Sequence, residues 1–122
     1  MKIKVCGMLK NQNVEKLVKL KPDYVGFIFY INSPRFAGKN TPALPDGIKK
    51  TGVFVNSQVE FIKKTIKKHS LQSVQLHGDE TADFCRLIKS LGVEVIKAIN
   101  IIDNYDFKKL LPYQKFCNYF LF

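Results

Sequence analysis

The groups in this chain that could do chemistry are few, and each ends or directly follows a short apolar run: Cys6 with Gly7, Arg35 in Asn32-Ser33-Pro34-Arg35, Asn56, Gln75, His77 with Gly78-Asp79-Glu80, and Lys97. Ionised, Cys6 would be a general base. A thiol with a reference pKa of about 8.5 needs a cationic or helix-terminal neighbour for that; un-ionised, it is a small core residue. His77 has the chemistry of a general acid or base, an orienting group, or a hydrogen-bonded strand cap. Arg35 is one of two arginines and lies in a proline-restricted loop, which suits a fork holding a carboxylate or phosphate as well as a surface position. Asp79 and Glu80 fit the N-terminus of a following helix, with paired-carboxylate catalysis as the alternative. A Schiff-base role for Lys97 would require a desolvated pocket.

Several classes lack a carrier. The chain has no Gly-x-Gly-x-x-Gly, no phosphate-binding P-loop and no His-Glu-x-x-His, so no nucleotide cofactor and no metal is expected. Its three cysteines, at 6, 85 and 117, are widely spaced and odd in number, which reads as free thiols and a cytoplasmic protein. No apolar stretch approaches the roughly 20 residues of a membrane span. The net charge of +10 comes from 20 basic and 10 acidic residues and suggests an anionic partner. The lysine pairs Lys63-Lys64, Lys67-Lys68 and Lys108-Lys109 fall on the polar side of amphipathic segments. Nucleic-acid recognition favours arginine and interleaved aromatics, so solvated helix faces are expected and no nucleic acid.

The elements that must position these groups recur regularly. β-rich runs begin at residues 3, 24, 51, 73, 93 and 117: Ile3 to Cys6, Tyr24 to Phe29, Thr51 to Val55, Ser73 to Leu76, Val93 to Lys97 and Cys117 to Phe122. Nearly continuous apolar runs of this length mark strands buried on both faces of a parallel sheet. Helices are predicted over Asn11 to Leu20, Ser57 to His69, Thr81 to Leu91 and Asp103 to Leu111. Ser57-x-x-Glu60 reads as a capping box ahead of the stripe Val59, Ile62, Ile66. Phe84, Leu87, Ile88 and Leu91 form the next stripe, stopped by Gly92. Ser33-Pro34, Thr41-Pro42 and Leu44-Pro45 predict a long loop between the second and third strands.

Two α/β architectures fit six such units: an open doubly wound sheet, or part of an eight-unit closed barrel, which at this pitch needs about 200 residues. The final run, Phe116 to Phe122, stops on an apolar residue inside a strand, which favours the barrel and a C-terminal end that looks cut.

The residues then become familiar as a set. Lys4-Val5-Cys6-Gly7-Met8, Val25-Gly26-Phe27-Ile28-Phe29-Tyr30 followed by Ser33-Pro34-Arg35-Phe36, Val53-Phe54-Val55-Asn56, and Val74-Gln75-Leu76-His77-Gly78-Asp79-Glu80 together resemble the phosphoribosylanthranilate isomerase family. The resemblance covers the whole chain. It implies one domain over residues 1–122, the N-terminal portion of a TIM (β/α)8 barrel, incomplete, with six parallel strands and intervening helices.

It also implies the Amadori rearrangement of N-(5-phosphoribosyl)anthranilate, a small phosphorylated substrate, with no cofactor. Cys6 maps onto the family's general base, Arg35 onto the arginine near the anthranilate carboxylate, and Gln75 and His77 onto substrate-binding positions. The family's general acid, an aspartate, follows strand six, one position beyond Phe122. Asp103 and Asp106 are expected in the preceding helix, on the wrong side of the sheet to replace it. The phosphate site of such barrels lies after strands seven and eight. Met8-Leu9-Lys10 departs from the threonine or arginine common in relatives. Six strands leave exposed edges, so a homo-oligomer or a complementing fragment is the expected partner, and a non-catalytic, partner-completed fragment is the alternative function.

Overall fold

The computed structural model describes residues 1–122. Its strands are β1 (Lys4–Val5), β2 (Tyr24–Ile28), β3 (Lys49–Phe54), β4 (Ser73–Leu76), β5 (Glu94–Ala98) and β6 (Tyr119–Leu121). Three helices connect them: α1 (Asn11–Val18), α2 (Val59–His69) and α3 (Ala82–Lys89). All five pairings are parallel and the sheet order is β1-β2-β3-β4-β5-β6. A doubly wound sheet would reverse its strand order at some point; this one never does. The architecture is the curved, sequential wall of a (β/α) barrel, six strands wide.

One face of the wall meets the helices. Val25, Phe27, Phe54, Val74, Leu76 and Val95 alternate along the strands and pack with Val14 of α1, Ile62 of α2, and Cys85 and Ile88 of α3 in a single apolar cluster. The other face is less apolar than continuous hydrophobic runs suggest. The register aligns Gly26, Thr51, Ser73 and Glu94 across four strands. Thr51 Oγ1, Ser73 Oγ and the neighbouring Gln75 Oε1 are all buried there without a partner. At the N-terminal end of this face Glu94 accepts from the Tyr24 hydroxyl at 2.7 Å and pairs with Lys49, tying β5 to β2 and β3. Burial alone would raise the Glu94 carboxyl, but Lys49 and Tyr24 outweigh it and hold it below its usual range.

Several local expectations change. Asn56, at φ +49°, turns the chain before α2. The cap therefore falls on Gln58 with no side-chain hydrogen bond, and Ser57 and Glu60 form no capping box. In α3, Thr81 is the cap and accepts from Phe84 N at 3.2 Å; Cys85 joins the buried stripe while Leu87 is exposed. The fourth predicted helix is a 3₁₀ helix, Phe107–Tyr113, with Pro112 inside it. Proline has no N–H to give an α-helical ladder, and the tighter turn tolerates that. The β2–β3 connection is the predicted long loop, tied down where Phe36 bridges to Ile28. No helix of the structure is long and apolar enough to cross a membrane.

Candidate functional site

The C-terminal ends of the strands carry the reactive residues to one rim, where the first two pack against neighbouring glycines. Cys6 follows β1, and the backbone N–H of Gly7 bonds to Gly26 O at 3.1 Å, closing β1 onto β2. Gly26 is what makes room for the thiol: a Cβ at 26 would stand 2.8 Å from Cys6 Sγ. Gly7 holds φ +76°, and a Cβ there would lie 3.0 Å from both Cδ and Nη1 of Arg35. The guanidinium of Arg35 thus lies across the residue next to the thiol. Its loop is held by the Ser33 hydroxyl accepting from Arg35 N at 3.2 Å, and by Ala37 N donating to Ile28 O at 2.8 Å.

The remaining candidates occupy β3 to β5. A cleft of about 850 Å³ opens over their ends, lined by Asn56, His77, Asp79, Asn100, Tyr105 and Tyr113 among others. That is within the usual size of a small-molecule site. The His77 ring is exposed and its backbone N–H bonds to Phe54 O at 2.9 Å, so strand geometry presents the imidazole to the cleft. Gln75 faces the same side one residue pair earlier, is 2% exposed, and lies beneath the cleft without lining it. Cys6 and Arg35 form a separate group over β1 and β2, outside the cleft lining.

Glu80 and Lys97 prove to be scaffolding. The Glu80 carboxylate is buried and accepts from Asn56 N and Gly78 N, each at 2.9 Å, and from Lys97 Nζ at 3.2 Å. Lys97 Nζ also donates to Gly78 O at 2.7 Å and Ala98 O at 3.0 Å. Asn56 Oδ1 in turn accepts from Asp79 N at 2.8 Å, and the Tyr113 hydroxyl donates to Glu80 O at 3.1 Å. One carboxylate therefore joins the ends of β3, β4 and β5. With every proton of its ammonium engaged, Lys97 has no free amine for a Schiff base, and Glu80 is not a helix-dipole carboxylate.

Asp103 and Asp106 also move from their expected place. They lie in the segment between β5 and the 3₁₀ helix, on the rim side of the sheet, where Asp106 accepts from Lys108 N at 3.0 Å. Tyr105, between them, is the group that reaches the cleft; no motif marks Tyr105, Tyr113 or Asn100 in the sequence.

A model of the family described as N-(5'phosphoribosyl)anthranilate (PRA) isomerase matches residues 3–122. The chain belongs to that isomerase family. An N-(5'-phosphoribosyl)anthranilate isomerase of Phocaeicola vulgatus is 38% identical over 120 residues, covering 98% of this chain and 58% of that one. Among solved structures, the phosphoribosyl anthranilate isomerase of Thermotoga maritima superposes with a TM-score of 0.83 at 31% identity, over 95% of this chain and 58% of its own. A second isomerase structure, in complex with reduced 1-(o-carboxyphenylamino)-1-deoxyribulose 5-phosphate, gives a TM-score of 0.77 at 28% identity, over 98% of this chain and 73% of its own. The chain spans somewhat over half the length of the curated relatives it matches. The fold shared with these isomerases is the TIM barrel, of which this wall supplies six strands.

Proposed function

We propose that the chain serves in tryptophan biosynthesis, in the rearrangement of N-(5-phosphoribosyl)anthranilate to 1-(2-carboxyphenylamino)-1-deoxyribulose 5-phosphate. Family membership supplies the reaction class. The observation that carries the reading is that Cys6, at the end of β1, and Arg35, packed over the adjacent Gly7, come to the same rim of the sheet.

The chemistry needs a proton delivered to the furanose ring oxygen, which opens the ring to a Schiff base, and a proton removed from C2, which gives the enolamine. The enolamine then tautomerises to the ketone. Cys6 is the base at C2. Arg35 suits the anthranilate carboxylate through its planar fork, and a bound carboxylate beside the thiol fixes the substrate against it. His77, exposed in the cleft, and Gln75, beneath it, are the substrate-binding residues on the β4 side. In the family the proton donor and the phosphate loops belong to the ends of strands six to eight, beyond the 122 residues of this chain.

β1 and β6 are the two edge strands, the places where a second copy or a complementing fragment would pair. The same reading puts the chain in the cytoplasm, where the unpaired thiols Cys6, Cys85 and Cys117 stay reduced.

The test is a fluorescence assay of phosphoribosylanthranilate consumption by the purified chain, alone and mixed with a fragment carrying the remaining strands of a relative. Turnover is expected in the mixture, reduced by about 100-fold or more in Cys6→Ala, as for loss of a general base. Turnover unaffected by Cys6→Ala, or absent from both preparations, overturns the assignment.

A further inference from the structure

At the end of the sheet opposite the rim, on its helix-facing side, a cavity of about 300 Å³ lies between the β2–β3 loop and the end of α2. Its polar lining is Thr41, Lys50, Lys68, His69, Ser70 and Gln72, and it contains no carboxylate. Lys50 is the unusual member. It is the second residue of β3, only 6% exposed, and it takes part in none of the ion pairs of the chain. Its Nζ donates to Thr41 Oγ1 at 3.2 Å and stands 5.7 Å above the Phe27 ring. An ammonium has three protons to donate, and Lys50 uses one.

The neighbours deepen the imbalance. The Thr41 hydroxyl, which accepts from Lys50, also shares a hydrogen bond with His69 Nδ1, 2.9 Å away. Burial, then Lys68 and Lys50, hold His69 below its ordinary range. Burial likewise pulls Lys50 down. The negative end of α2 favours Lys67 and Lys68 in its last turn, but Lys50 Nζ reaches no helix carbonyl. A buried ammonium with no ionic partner is costly to keep charged, and an anion in the cavity it lines would offset that cost.

We propose that this cavity is a binding site for a small phosphate oxyanion, free or as a monoester, with Lys50 as its buried counter-charge. Lys68 at the mouth supplies a second positive charge, which matches a dianion. The Ser70 hydroxyl and the Gln72 amide add donors. The Gln72 side-chain oxygen is already committed to Lys50 N at 2.7 Å, so its NH₂ is the free end. Two cationic and two neutral donor groups match the charge and the three or four oxygens of a phosphate better than the single charge of a carboxylate. The site is at the far end of the sheet from Cys6 and does not rest on the reaction proposed above.

Thermal unfolding of the full 122-residue chain, with sodium chloride replaced by sodium phosphate at constant ionic strength, tests it. Inorganic phosphate should raise Tm saturably. Lys50→Met, which fills the same volume without charge, should abolish the effect, and acetate should not reproduce it. A phosphate response retained in Lys50→Met, or matched by acetate or chloride, overturns the proposal. Lys68 is exposed and its side chain makes no hydrogen bond or ion pair within the chain, so calorimetric titration of Lys68→Ala with phosphate is a second reading. A several-fold weaker affinity is expected, and an unchanged one overturns the proposal.

Discussion

The placement of Cys6 and that of Arg35 depend on what two other residues lack. Gly26 leaves the volume into which the thiol projects, and Gly7 leaves the volume crossed by the arginine. Gly26→Ala should therefore displace the thiol without unfolding the sheet. In the complemented enzyme we expect turnover to fall by roughly 10- to 100-fold, the scale of a displacement of about an ångström, with an unchanged far-ultraviolet circular dichroism spectrum. Full activity in Gly26→Ala would show that the thiol has room to spare. The sequence motifs located Cys6 and His77 at strand ends and Arg35 in the loop after the second run, because those positions follow directly from the runs. They did not reveal Glu80, since a carboxylate just ahead of a helix ordinarily serves the helix dipole. Its actual partner, Lys97, lies on another strand and can be found only once β4 and β5 are paired.

At the scale of elements, strand existence was legible and cap chemistry was not. The run Ser73 to Leu76 is β4 residue for residue, a short β-rich run buried along its whole length, as expected of a parallel-sheet strand. Capping signals rely on a backbone that enters the helix directly, and the left-handed Asn56 intervenes before α2. Two hydroxyl deletions separate the cases by urea unfolding. Thr81→Ala should cost about 1 kcal/mol, the usual value of an N-cap. Ser57→Ala, whose hydroxyl caps nothing, should stay within about 0.5 kcal/mol. A larger loss from Ser57 than from Thr81 would reverse the capping assignment. The 3₁₀ segment was the other illegible element: an apolar period with lysines on its polar side looks α-helical until Pro112 is placed inside its ladder.

For the molecule as a whole, the Tyr24–Glu94–Lys49 tie gives stability a pH dependence of known sign. The folded Glu94 carboxyl is depressed, so its contribution is fully present above the ordinary glutamate value of about 4.3 and is lost as pH falls through the lower, folded value. Urea midpoints measured downward from pH 6 should fall, and Glu94→Gln should flatten that fall; an equal slope in both proteins would remove Glu94 from the account. The two edges give a second prediction. β6 carries exposed Tyr119 and Leu121 on a strand with one unpaired side, and such an edge recruits another chain. Sedimentation should show self-association that Leu121→Lys reduces, whereas a monodisperse monomer would show that the edge is already protected. The strand order has a consequence in time as well. Every strand after β1 pairs with the one before it, so each finds a neighbour already made. At the usual pace of synthesis a new strand leaves the ribosome about every one to five seconds, far longer than local folding steps of microseconds. The growing wall can lay down each strand against a neighbour already in place, and the order of synthesis becomes the order of assembly.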